Sequence, residues 1–256
     1  MLNFYKYQAT GNDFVMIDNR NGNFDKENLQ IVRKLCDRKF GVGADGLILI
    51  ENHDKLDFNM IYFNADGTKS FCGNGSKCAL SFAKQIGVVE NNQADFLSTD
   101  GIHTAKIKEN GVSLLMHNVN EVEKGDDNYF INTGSPHYIV FTSNIDAIDI
   151  VKEAHKIRYN ERFKDKGTNV NFVELIPEGI KIRTYERGVE DETLSCGTGV
   201  TACALAMNHL QQTKSPIKVL TKGGWQEVSF TLSDNGYENI WLTGPTECVF
   251  EGSIAL

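Results

Sequence analysis

An excess of basic charge, a long apolar run and a closely spaced cysteine pair are all missing from this sequence, and each absence excludes a class of function. The formal net charge is −8, whereas nucleic acid or an anionic membrane is held by clustered Lys and Arg. The longest apolar stretches, such as Gly46-Leu-Ile-Leu-Ile50, are strand-sized and far short of the ~20 residues that span a bilayer. The N-terminal run MLNFYKYQATGND lacks the apolar core of a secretory signal. A cytoplasmic, reducing location is therefore expected, where Cys36, Cys72, Cys78, Cys196, Cys203 and Cys248 stand as thiols and not as a disulfide framework. No Cys-x-x-Cys occurs, which argues against structural zinc. No metal cluster or pyridoxal-type lysine motif is evident either.

What is present suits an ordinary globular protein. Of 256 residues, 41% are hydrophobic and 23% charged, enough apolar surface for two cores of roughly 120 residues each. An internal repeat supports that division. Cys72-Gly-Asn-Gly75 recurs as Cys196-Gly-Thr-Gly199, an offset of 124 from residue 72 to residue 196. Thr10-Gly-Asn-Asp-Phe-Val15 is echoed by Thr133-Gly-Ser-Pro-His-Tyr138, and Gly43 before the run Leu47 to Ile50 by Gly167 before Val170 to Leu175. The strand-like Phe58–Phe63 followed by Asn64 resembles Ile180–Tyr185 followed by Glu186. Four matches in one order at nearly one offset indicate duplication of a half-chain unit.

The periodicity agrees. Strands are expected near 2–8, 13–18, 46–51 and 57–63, and helices near 27–38 and from Ser76 to Ile86, with hairpin-like runs on to Met116. The second half repeats this, with helices near 146–158 and 199–212 and a polar linker near 118–128. The fold class is α+β (mixed α/β): two pseudo-symmetric domains from an internal duplication, each a curved sheet around a central helix, with the active site in the cleft between them. The expected domains are 1–117, carrying Cys72 and rejoined by the C-terminal segment at about 246–256, and 118–245, carrying Cys196.

Gly41-Val-Gly-Ala-Asp-Gly46 fits the dinucleotide-binding pattern, but that pattern follows a strand and opens a helix. Here the order is reversed, so a tight turn is the reading. Cys78 and Cys203 lie in apolar helical runs and read as small packing residues, as do Cys36 and Cys248. The two Cys-Gly-x-Gly turns differ from these. Each places a thiol where a helix opens, and there free amides and the helix dipole favour thiolate and can hold a carboxylate. Glycine lets the backbone approach such a ligand closely. Two thiols, one from each half, suit an epimerisation in which one base removes the Cα proton and the other returns a proton to the opposite face.

These motifs together resemble the diaminopimelate epimerase family, in the wider group that includes proline racemase. The resemblance runs from Lys6 to Gly252 and rests on Thr10-Gly-Asn-Asp-Phe14, Gly41–Gly46, Asn64-Ala-Asp-Gly67, Ser135-Pro-His137, Asn169-Val-Asn-Phe172, Glu186-Arg-Gly188 and the two cysteine turns. It implies that Cys72 and Cys196 are the catalytic pair and that His137 and Glu186 tune them. It implies substrate binding by Asn12, Asn64, Gly73, Asn74, Asn169, Glu186, Arg187, Gly197 and Thr198. It further implies a cytoplasmic homodimer with no cofactor and no metal, acting on diaminopimelate as its small-molecule substrate, with no nucleic-acid or membrane partner. Ser135 stands where the family more often has Asn, and Gln8-Ala9 where it has His-Gly. A racemase of proline or histidine on the same fold is the alternative. Asn74 speaks against it, since proline-racemase-like sequences resemble Cys-Gly-His-Gly at that turn.

Overall fold

The run at 46–50 is buried throughout because helices cover both of its faces, which is why it reads as continuously apolar instead of alternating. The structure, a computed structural model, describes residues 1–211 and 213–255. The first unit comprises Met1–Leu114 and the chain from Gly244 onward. Its elements are β1 (Leu2–Ala9), β2 (Asn12–Asp18), α1 (Leu29–Cys36), β3 (Gly46–Glu51), β4 (Phe58–Asn64), α2 (Gly73–Gln85), β5 (Gln93–Ser98), β6 (Gly101–Lys108) and β7 (Gly111–Leu115). Strand β2 pairs antiparallel with β1 and parallel with β3; β3 is antiparallel to β4, and β4 parallel to β5. Helix α2 packs against β1, β2, β3, β4 and β6, so the sheet wraps around it. On the other face, Val32, Leu35 and Cys36 of α1 close a core with Val15, Ile17, Leu47, Leu49 and Phe63.

The second unit, Leu115–Thr243, repeats the plan. It holds β8 (Glu123–Lys124), β9 (Asn128–Asn132), β10 (Pro136–Thr142), α3 (Ile150–Arg158), β11 (Asn169–Ile176), β12 (Gly179–Glu186), β13 (Asp191–Thr193), α4 (Gly197–Gln211), β14 (Ile217–Thr221), β15 (Gly224–Ser233) and β16 (Gly236–Gly244). Pairing follows the first unit, antiparallel β9–β10, parallel β10–β11, antiparallel β11–β12 and parallel β12–β14. Even the register is kept: Phe14 faces Gly46 and His137 faces Asn169, each 123 residues further on. Helix α4 takes the place of α2, buried on all sides from Gly199 to Asn208, as a helix apolar all round requires. The last strand, β17 (Glu247–Ile254), returns to pair antiparallel with β1. The architecture is mixed α/β in two units of one plan.

Three boundaries differ from the sequence-based expectation. Helices α2 and α4 begin at Gly73 and Gly197, not near residues 76 and 199, because the cysteine before each glycine acts as the cap. The stretch expected as one helix over 146–158 is a short 3-10 turn at Ile145–Ala147 followed by α3, whose cap Asp149 accepts from the Lys152 amide. The polar segment 118–128, expected as a linker, is mostly irregular and carries an isolated bridge and a two-residue strand: Val119 and Tyr237 exchange backbone hydrogen bonds, and Glu123–Lys124 pair with Tyr129 and Phe130.

Candidate active site: two cysteine-capped helix starts

In the first unit, Cys72 has extended backbone and caps α2; its Sγ accepts from the Gly75 amide at 3.3 Å and its carbonyl from the Ser76 amide at 2.8 Å. The amides of Gly73 and Asn74 are left outside the helix's own ladder. A Cβ at Gly73 would meet nothing nearer than Leu114 at 3.6 Å, so packing tolerates a side chain there and the glycine keeps the backbone approachable. The Cys72 thiol donates to Asn12 Oδ1 at 3.5 Å, which also accepts from Asn74 Nδ2 at 3.4 Å. Asn12 is held in that sense because its Nδ2 donates to Asp45 Oδ2 at 2.7 Å. Arg38 in turn bridges Asp45 and Asp13, and Lys6 pairs with Asp13. Asn74 is 3% exposed, and its Oδ1 has no hydrogen-bond partner, leaving an acceptor whose desolvation costs ~1–3 kcal/mol until a donor arrives. Lys77, fully buried on α2, lies in the electrostatic field of Cys72, and burial brings its pKa down to about 8.

In the second unit, the Cys196 carbonyl accepts from the Val200 amide at 2.8 Å, and its Sγ lies 3.5 Å from Thr198 Oγ1. That hydroxyl is 2.9 Å from His137 Nε2. The imidazole is fully buried, and burial drives its pKa down to about 3. It is neutral near pH 7. Asn169 ties three neighbours: its Nδ2 donates to Ser135 Oγ at 2.9 Å and to the Pro136 carbonyl at 3.1 Å, while its Oδ1 accepts from the Arg187 amide at 2.8 Å. Ser135 thus supplies the acceptor at the position where the resemblance expects Asn. Thr133 Oγ1 donates to the Thr198 carbonyl at 2.9 Å, fixing the first turn of α4 to the β9–β10 connection.

The first unit therefore gathers Asn12, Cys72, Gly73 and Asn74, and the second gathers His137, Asn169, Cys196, Gly197 and Thr198. Glu186 and Arg187 follow directly at the end of β12, with Arg187 Nη1 donating to the Lys166 carbonyl at 2.9 Å. Asn64 stands apart from the first cluster: its amide donates to Thr68 and Ser70 in the loop that leads to Cys72. Asp45, Lys77 and Asn171 were not singled out from the sequence. Asn171 had a signal, since it lies two residues from Asn169 on a strand and so shares its face. Gly41–Gly46 joins α1 to β3 as a turn, and a Cβ at Gly41 would sit 1.8 Å from the Lys34 carbonyl oxygen. Cys36, Cys78 and Cys203 are buried, with thiols pushed up by burial. Cys248 departs from the packing reading. It lies on β17, which is exposed along most of its length.

No helix among the described residues is long and apolar enough to cross a membrane, and no group of three or more His, Cys, Asp or Glu is placed to hold a metal ion. In structure, the chain is similar to a phenazine biosynthesis protein of the PhzF family from Bacillus anthracis, with a TM-score of 0.78 at 15% identity over 100% of this chain and 99% of the other. A probable proline racemase from Agrobacterium radiobacter is similar with a TM-score of 0.66 at 16% identity, over 100% and 93% of the two chains. Likeness at that identity speaks for the fold alone. In sequence, the chain is 50% identical to a diaminopimelate epimerase of Flavobacterium psychrophilum over 99% of its length and 100% of that protein. It is 42% identical to one from Aquifex aeolicus over 99% and 98%. The family profile described as diaminopimelate epimerase matches residues 4–122 and 129–249. By both measures the chain belongs to the diaminopimelate epimerase family.

Proposed function

We propose that this chain is an amino-acid epimerase that interconverts LL- and meso-diaminopimelate, with Cys72 and Cys196 moving the Cα proton. The observation that carries the reading is the recurrence of one device in both units, a cysteine set directly before the glycine that opens a buried helix, its carbonyl taking the first hydrogen bond of that helix. Either thiol, as thiolate, abstracts the proton, and the other, as thiol, delivers one to the opposite face. The helix-start amides take the carboxylate next to the reacting carbon and stabilise negative charge as it spreads from Cα. The buried Oδ1 of Asn74 is an acceptor suited to the substrate ammonium. Arg187 suits the distal carboxylate, with Asn12, Asn64, Asn169, Glu186 and Thr198 as further substrate contacts and His137 acting on the second thiol.

The reading is of a cofactor-free, cytoplasmic homodimer serving lysine and peptidoglycan synthesis, so activity survives exhaustive dialysis against a chelator. The deciding experiment incubates the protein with LL-diaminopimelate in D2O and follows Cα-proton exchange and appearance of the meso isomer. Exchange and meso product support the assignment. Faster turnover of proline or histidine would move the substrate to the alternative racemase, and exchange that persisted without either thiol would remove the mechanism.

A further inference from the structure

The geometry points to Asn171 as a positioning residue that, through His137 and Thr198, aims a hydroxyl proton at the sulfur of Cys196. This deepens the proposed function, because it takes Cys196 as one of the two acid–base thiols. The orientation of the Asn171 amide is determined by its partners. Its Nδ2 lies 3.2 Å from the Tyr138 carbonyl, which can only accept, and its Oδ1 accepts from the Thr184 hydroxyl at 2.9 Å. The same Nδ2 lies 3.1 Å from His137 Nδ1 and so donates to it. A ring nitrogen that accepts is bare, and a neutral imidazole then carries its proton on Nε2. That proton is directed at Thr198 Oγ1, 2.9 Å away. Asn169 Nδ2 also approaches Nε2, at 3.4 Å, but its two hydrogens are directed to Ser135 and Pro136 at shorter range. With an oxygen lone pair taken by the imidazole N–H, the Thr198 hydroxyl donates onward, and Cys196 Sγ lies 3.5 Å away. A donor aimed at sulfur favours thiolate over thiol.

The arrangement is not a by-product of the duplicated fold. At the equivalent places of the first unit, 123 residues earlier, stand Phe14 and Ile48, both fully buried and apolar. Asn171 is likewise fully buried, in a place its twin fills with hydrocarbon. Arg187, whose charge opposes protonation of His137, and Cys203 within α4, which lies in the electrostatic field of Cys196, are titratable or charged groups acting on the relay.

The test reads the thiols directly. Iodoacetamide labelling of the intact protein across pH, resolved by peptide mass spectrometry, gives a separate midpoint for Cys196 and for Cys72. Asn171→Asp replaces the donor with an acceptor, drawing the His137 proton to Nδ1 and turning Nε2 into an acceptor that takes the Thr198 hydroxyl away from sulfur. A hydrogen bond to a charged group can move a titration by about one pH unit, so the Cys196 midpoint rises by about that much while Cys72 stays in place. Thr198→Val gives the same rise, Thr198→Ser does not, and N171D/T198V shifts no further than T198V alone. Long-range proton–nitrogen NMR shows the wild-type His137 protonated on Nε2. A wild-type ring protonated on Nδ1 overturns the relay, as does an unmoved Cys196 midpoint in T198V. The labelling requires no substrate. Shifts as expected in a protein that leaves diaminopimelate untouched would therefore uphold the relay and remove the assigned reaction.

Discussion

Cys72 and Cys196 occupy equivalent places yet meet neighbours of opposite hydrogen-bonding character. Asn12 presents Oδ1, which only accepts, whereas Thr198 presents a hydroxyl able to donate. If each thiol serves one face of Cα, removing either stops the reaction. Cys72→Ala and Cys196→Ala should each lower kcat on LL-diaminopimelate by at least about a hundredfold, the lower end of what a positioned proton-transfer group contributes. A variant within tenfold of wild type would exclude the two-thiol mechanism. Specificity is also a matter of single residues. Arg187→Met should raise KM for diaminopimelate about ten- to a hundredfold, the worth of a hydrogen bond to a charged group. It should leave the poor turnover of lysine, which lacks the distal carboxylate, unchanged. Equal losses on both substrates would assign Arg187 to the loop it braces at Lys166. The two cysteines, their glycines and His137 were legible from the sequence as motif members. Lys77 was not, because nothing in a lysine's neighbours announces that its ammonium will be fully buried.

At the scale of elements, the glycines of the two turns have different duties, and substitution separates them. A Cβ on Gly199 would sit 2.7 Å from Asn171 Oδ1 and 3.2 Å from His137 Cε1. Gly199→Ala should therefore cost about 1–3 kcal/mol as an overpacked core position, seen as a lowered Tm. Gly73→Ala meets only Leu114 at 3.6 Å and gains helix propensity of up to about 1 kcal/mol. It should keep or raise Tm while raising KM, because its methyl stands where a substrate carboxylate approaches the amides. If Gly73→Ala binds substrate normally, the anion does not sit at that helix start. The period of the apolar residues located all four helices, but it placed the starts of α2 and α4 too late. Glycine is a poor helix former, and only the cap at Cys72 and its counterpart at Cys196 show that the first turn begins there.

For the molecule as a whole, the buried imidazole sets a pH dependence of folding. An unfolded chain protonates His137 near pH 6.5, while the folded one refuses the proton until about pH 3. Between those values the unfolded state binds the extra proton, so stability falls as pH drops, by about 1.4 kcal/mol per pH unit and about 2 kcal/mol by pH 5. Down to about pH 5 the imidazole acts largely alone; Glu123, Glu190 and Glu192, whose carboxyls the fold holds below their ordinary range, add to the fall only below that. Asp13, held down to about 2 by Arg38 and Lys6 against the opposing effect of burial, contributes only below pH 4. Lys77 contributes only above about pH 8. Urea denaturation of the intact chain from pH 7 to pH 4.5 should show this slope, and His137→Phe, which installs the residue of the first unit, should flatten it. An unchanged slope in that variant would place the acid sensitivity elsewhere.

The sequence by itself determined the family, the duplication, the mixed α/β class and the two thiols, because each is carried by residues close together in the chain or by a constant offset between its halves. Tertiary structure alone decided what surrounds those thiols. Parallel pairing of β2 with β3 and of β10 with β11 brings Asp45 to Asn12 and Asn171 to His137 across more than thirty residues of chain, a separation at which no local pattern survives. It also decided that Cys248 lies on an exposed strand and that the Asn64 amide serves its own loop. Those outcomes turn on which atoms compete for a side chain's few hydrogen-bonding positions, and that competition exists only once the chain has folded.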